Sequence, residues 1–284
     1  MLSNMGLGSP VLSQNTYERP SHYDNLVEQG GPDVMAARTQ TASIGGTVIA
    51  TGIMLSTLGM TAMLTFGFLQ NASGGLSMGL IAGSAILGLI LTLVISFKPN
   101  LAPALGLPFA VVEGVFVGAI SLFYASWAGA QQSAAAGTGG SGGVVASLDT
   151  SIVFQAGLLT FGIAAGLLVA YSTRIIRVSN ALMKGIFAAT IGVVVLMAGM
   201  FLLRLFGVQS ASLWAMGPLG IGIAGVIVVI AAANLLVDFR VIEDGVNAGA
   251  PKYMNWYGGF AVLVTLVWLY ISILRLLALL RNSD

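Results

Sequence analysis

The chain of 284 residues contains no cysteine and a single histidine. Without cysteine there are no disulfides, no thiol nucleophile and no cysteine-ligated zinc or iron–sulfur site, and the redox compartment is left open. The one histidine, His22, lies in a polar stretch where nothing orients its ring, which argues against a metal or catalytic role. Charge is scarce as well. Charged residues make up 7% of the chain and the formal net charge is +1, so no basic surface is left for nucleic acid. Soluble domains carry about 25% charged residues. With 57% of its residues hydrophobic, this chain reads instead as a polytopic membrane protein.

Residues 1–40 contain Pro10, Pro20 and Pro32 and show no helical periodicity, which predicts a flexible tail ahead of a membrane domain at 41–284. The tail is not read as a signal peptide, because the first apolar run begins near Ile44 and is already long enough to span. A run of about 20 apolar residues crosses a hydrocarbon core about 30 Å thick. By that measure the chain divides into seven spans at roughly 43–69, 75–97, 103–128, 152–172, 182–206, 217–238 and 256–280. Barrel strands would alternate in polarity and these runs do not, so the predicted fold is all-α, a bundle of seven transmembrane helices.

Arg38, Lys98, Arg174, Arg177, Lys184, Arg240 and Lys252 fall on one side of that map, which predicts a cytoplasmic amino terminus. Arg204, Arg275 and Arg281 fall on the other side, against the bias, and a re-entrant last segment is the alternative that would return them. The loop from Gly129 to Asp149 has linker composition. The basic loop around Arg174, Arg177 and Lys184 sets topology, with contact to anionic headgroups as the second reading. Gly114 with Gly118, and Gly162 with Gly166, have the spacing that lets helices approach closely. Gly220, Gly222 and Gly225 fit a dinucleotide-binding fingerprint, and Asp244 follows at a suitable distance. That fingerprint needs a preceding strand, whereas here it sits inside an apolar helix.

Catalytic inventories fail. A serine protease in the membrane needs a histidine base, a metalloprotease needs histidine ligands, an aspartyl type needs two aspartates within spans, and a retinal protein needs a lysine in its last span. No enzyme, cofactor or metal site is expected. The polar residues singled out inside the spans are Glu113, Asn234, Asp238, Tyr270 and Ser272, which this reading places along one pathway. Asp238 ends the sixth apolar run, before a polar loop with Glu243 and Asp244. Placing a carboxylate in hydrocarbon costs roughly 2.5–3.5 kcal/mol on insertion scales, so such a group faces a cavity, a partner or a proton path. The plainer alternative is that Asp238 pairs with Arg240 or Lys252 and anchors its helix. Glu113 lies too deep to snorkel and must be protonated, paired or hydrated.

Three segments together resemble the Bax inhibitor family of seven-helix membrane proteins, in its bacterial branch. They are Ala110 to Ser121 around Val112-Glu113-Gly114, Leu236-Val237-Asp238-Phe239 followed by Glu243-Asp244-Gly245, and Leu266 to Leu277 around Trp268-Leu269-Tyr270-Ile271-Ser272. The tail up to residue 40 lies outside this resemblance. It implies a bundle wrapped around its last helix, in a bacterial inner membrane, leaking calcium or other cations as a function of pH. In that family two aspartates, one on each of the last two helices, share a proton, and a basic residue after the second helix helps latch the closed state. Asp238 matches the first aspartate, Lys98 lies near the basic position, and the second aspartate falls on Ser272. A hydroxyl accepts a hydrogen bond but holds no charge. Some bacterial relatives suggest the alternative of a non-conducting protein that modulates a membrane protease.

Overall fold

A computed structural model describes residues 41–70, 74–135, 148–176, 178–206 and 218–281, and the described residues from Ala42 onward form one body. The tail with His22, the glycine run Gly137 to Gly143, Arg177 and the side chain of Arg204 lie outside the described residues. The helices are α1 (Ile44–Leu69), α2 (Gly74–Phe97), α3 (Ala102–Ala135), α4 (Ser151–Ser172), α5 (Asn180–Leu205), α6 (Pro218–Asn247) and α7 (Met254–Arg281), with a single 3₁₀ turn, Pro99–Leu101, between α2 and α3. All seven are long and apolar enough to cross a membrane, as expected where every backbone group must be satisfied within its own segment.

Two helices outrun their apolar stretches. α3 continues to Ala135, taking in the start of the segment read as a linker, and α6 continues to Asn247, so Glu243 and Asp244 belong to its last turns and not to a loop. Hydropathy falls after Val237, but Arg240 and Asp244 face each other one turn apart at 3.4 Å and carry the helix into polar surroundings. Gly249 then stops it at φ 71, with its N–H donating to Val246 O and that of Ala250 to Gly245 O, the paired closure of a Schellman end.

α7 is the hub. It packs against α1, α3, α4 and α6, whereas α2 rests on α3 and α5 on α6. Of its apolar window 61% is buried, against 11% for α5, so the outer helices turn most of their surface to lipid. Small residues make the central contacts possible. A Cβ on Gly259 of α7 would lie 3.0 Å from the Thr51 backbone nitrogen, and Cβ atoms on Gly114 and Gly118 of α3 would lie 2.6 Å from Leu58 O and 2.5 Å from Ala62 O on α1. Gly162 and Gly166 have nothing within 4 Å, so that pair is not a packing surface within this bundle.

Both ends of α7 are tied down. At one face the Asn255 Oδ1 accepts the Ser43 N–H at 2.8 Å. At the other, Arg281 donates to Ser151 at 2.8 Å and Gln155 at 3.2 Å and is ion-paired with Asp149. The last segment is therefore one unbroken crossing and does not re-enter. Arg275 lies half-buried beside Tyr124 of α3.

Candidate functional site

Because α6 runs on to Asn247, Asp238 lies nine residues, about 13 Å, before the end of its helix. It faces α7. Thr265, itself buried, is the polar side chain of α7 set beside its carboxylate, while Oδ2 is buried and has no partner among the described residues. The anchoring alternative is not adopted. Arg240 turns away to Asp244, to Asn180 Oδ1 at 2.7 Å and to the Val178 carbonyl, and Lys252 takes part in none of the ion pairs among the described residues.

The remaining sequence candidates are dispersed. Ser272, the position carried over for a second acid, lies seven residues and about 10 Å further along α7 than Thr265, and its hydroxyl donates to Trp268 O at 2.8 Å. The residue that α7 presents to Asp238 is Thr265, and no hydrogen bond joins Ser272 to Asp238 among the described residues. Asn234 is turned toward α5, donating to Thr190 Oγ1 at 2.8 Å and to Ile230 O at 2.9 Å. Tyr270 and Ser121 share a hydrogen bond of 2.7 Å that ties α7 to α3. Glu113 faces α2, where Gly88 leaves room for it: a Cβ there would lie 3.0 Å from Glu113 Oε1. Lys98 is exposed after α2 and joins no ion pair among the described residues. These groups do not line one pathway. Asp238 looks into the α6–α7 interface and Glu113 into the α2–α3 interface, on helices that share α7 and not a common wall.

Chemically, the pair of Asp238 and Thr265 offers three oxygens, of which Oδ2 is free to take a proton, a water or a cation. Six to eight oxygens make a calcium cage. Among the described residues no group of three or more histidine, cysteine, aspartate or glutamate residues stands close enough to hold a metal. Thr265 was missed in the sequence because a lone threonine within an apolar span carries no signal of what it faces. Its only mark is that it shares a face of α7 with Ser272 at a spacing of two turns.

No curated protein and no solved structure matches the chain. A family model described as Bax inhibitor 1 like does match, over residues 9–282, and so takes in most of the amino-terminal segment that the motif resemblance had left aside. An integral membrane bundle of seven helices, matched by that model from residue 9 to residue 282, belongs to the Bax inhibitor 1 like family.

Proposed function

We propose that the protein is a pH-sensitive cation leak, with calcium the first ion to test and Asp238 the titrating group. The observation that carries this reading is the Asp238 Oδ2 atom, a carboxylate oxygen buried between α6 and α7 with no partner among the described residues. Desolvating a charge without pairing it is costly, so an ionised Asp238 favours water or a cation in the interface, whereas a protonated one tolerates dry packing. Its charge state thus sets whether the contact between the hub helix and α6 stays dry. Nothing in this role calls for catalysis, a cofactor or a resident metal. The membrane is read as a bacterial plasma membrane on the resemblance of the motifs, and the amino terminus as cytoplasmic on the lysine and arginine bias.

The second reading is a non-conducting partner of a membrane protease. It is favoured by one observation: the residue facing Asp238 is a threonine, so a switch made of two carboxylates sharing a proton has only one of its members here. The full-length protein in calcium-free liposomes separates the two. Calcium, sodium or proton entry that changes with pH and is flattened by Asp238→Asn supports the leak. Absence of any flux across the pH range, together with a co-purifying protease, replaces it with the partner reading.

A further inference from the structure

Beside the α6–α7 pair, a cleft of about 770 Å³ opens between α1 and α4. Its inner surface is apolar, with Leu55 and Phe161 on the walls and Leu235, Val262 and Leu266 on the floor. The lining on α4 runs from Phe161 to Ser172 and on α1 from Ile44 to Leu55. Each stretch is twelve residues long, a rise of about 16 Å from end to end, or half of a hydrocarbon core about 30 Å thick. The cleft is therefore one leaflet deep, starting at a membrane face and stopping near the midplane.

Its mouth is charged and balanced, with Arg174, Arg240, Glu243 and Asp244 on the rim. Arg240 is committed to Asp244, Asn180 and the Val178 carbonyl and acts as a fixed wall. Arg174 is different. It holds φ 56, a conformation non-glycine residues rarely adopt, and its side chain, 76% exposed, reaches over the mouth to Glu243 Oε1 at 3.6 Å. The Tyr171 hydroxyl donates to Glu243 Oε2 and fixes that carboxylate at the rim. A loose, exposed ion pair of this kind opens at little cost when a better partner arrives for each charge.

We infer that the cleft binds one aminophospholipid from the surrounding leaflet. One acyl chain lies between α1 and α4, the phosphate takes Arg174, and the primary ammonium takes Glu243. The depth requires a chain anchored at one face. The rim requires a headgroup carrying both charges, since an anionic lipid would draw Arg174 to its phosphate and leave the Glu243 carboxylate unanswered beside it. A choline headgroup has no N–H to give that carboxylate, whereas a primary ammonium has three. This assignment holds whether or not the protein conducts ions.

The test is native mass spectrometry of the full-length protein in detergent, titrated with phosphatidylethanolamine, phosphatidylcholine and phosphatidylglycerol of identical acyl chains. One molecule of phosphatidylethanolamine should be retained about tenfold more tightly than either of the others, as the loss of one charge-assisted contact implies. Arg174→Ala and Glu243→Gln should each bring it down to the phosphatidylcholine level. Both side chains sit at the rim, and thermal unfolding in lipid-free detergent checks that these variants remain folded. Ala165→Trp, which fills the cleft, should reduce retention of all three lipids. Equal retention of the three lipids, stronger retention of phosphatidylglycerol, or a preference for phosphatidylethanolamine that survives these substitutions would each overturn the assignment.

Discussion

Asp238 sets its carboxylate beside Thr265 in the α6–α7 interface and leaves Oδ2 buried with no partner among the described residues. That arrangement locates where a second acid would act. Two carboxylates in contact cannot both ionise easily, so they titrate as a pair. Thr265→Asp should therefore move the pH transition of calcium flux into liposomes toward neutral, and adding Asp238→Asn should cancel the shift because the coupling needs both groups. Ser272→Asp, two turns away and bonded to its own helix in the native chain, should leave the transition where it was. If Ser272→Asp moves the curve and Thr265→Asp does not, the facing residue has been misassigned. Glu113→Gln gives the complementary check. Since Glu113 looks toward Gly88 of α2 and not toward α7, its variant should keep the wild-type pH midpoint, and a lost pH response would place the path between α2 and α3. Asp238 and Glu113 were legible in the sequence because a carboxylate inside an apolar run stands out by cost alone. Thr265 was not, because the residue across an interface depends on the axial register of two helices, which neither span carries by itself.

The helices themselves were legible for the same reason that their ends were not. Apolar length sets where a span exists, and the predicted centres match all seven helices. Termini depend on caps and on charge pairs, so α6 outlasted its apolar run through Arg240 and Asp244 until Gly249 ended it. The glycine pairs make the point again. Gly114/Gly118 and Gly162/Gly166 have the same spacing, but only the first meets another backbone. Apolar helices turn similar residues to lipid and to protein, so spacing cannot tell the two faces apart. A matched pair of substitutions follows. Gly118→Ala would place its Cβ 2.5 Å from the Ala62 carbonyl, which cannot swing aside as a side chain would. It should cost about 1–3 kcal/mol as α1 and α3 are forced apart. Gly162→Ala meets nothing within 4 Å and should leave stability unchanged or slightly raised. Thermal unfolding in detergent reads both, and equal melting temperatures would mean that the α1–α3 contact is looser than described.

At the level of the whole molecule, a hub helix fixed at both ends decides which loops share a face. Ser43 meets Asn255, Arg174 meets Glu243, and Arg240 meets Asn180 at one end, while Asp149, Ser151 and Gln155 gather around Arg281 at the other. Those contacts settle sidedness within the protein without saying which side is the cytoplasm. The compartment comes from a separate source, the lysines and arginines that crowd the first end, since cytoplasmic loops retain positive charge during insertion. The two inferences can therefore fail independently, and a single experiment distinguishes them. Reporters active only in the cytoplasm or only outside, fused at Ser179 and at Gly140, should place Ser179 inside and Gly140 outside. Opposite compartments in the reverse order would keep the bundle and discard the charge rule, for which Arg275 and Arg281 are already against the trend. Both reporters in one compartment would instead break the crossing of α4, and with it the wall of the cleft and the contact that holds Arg281.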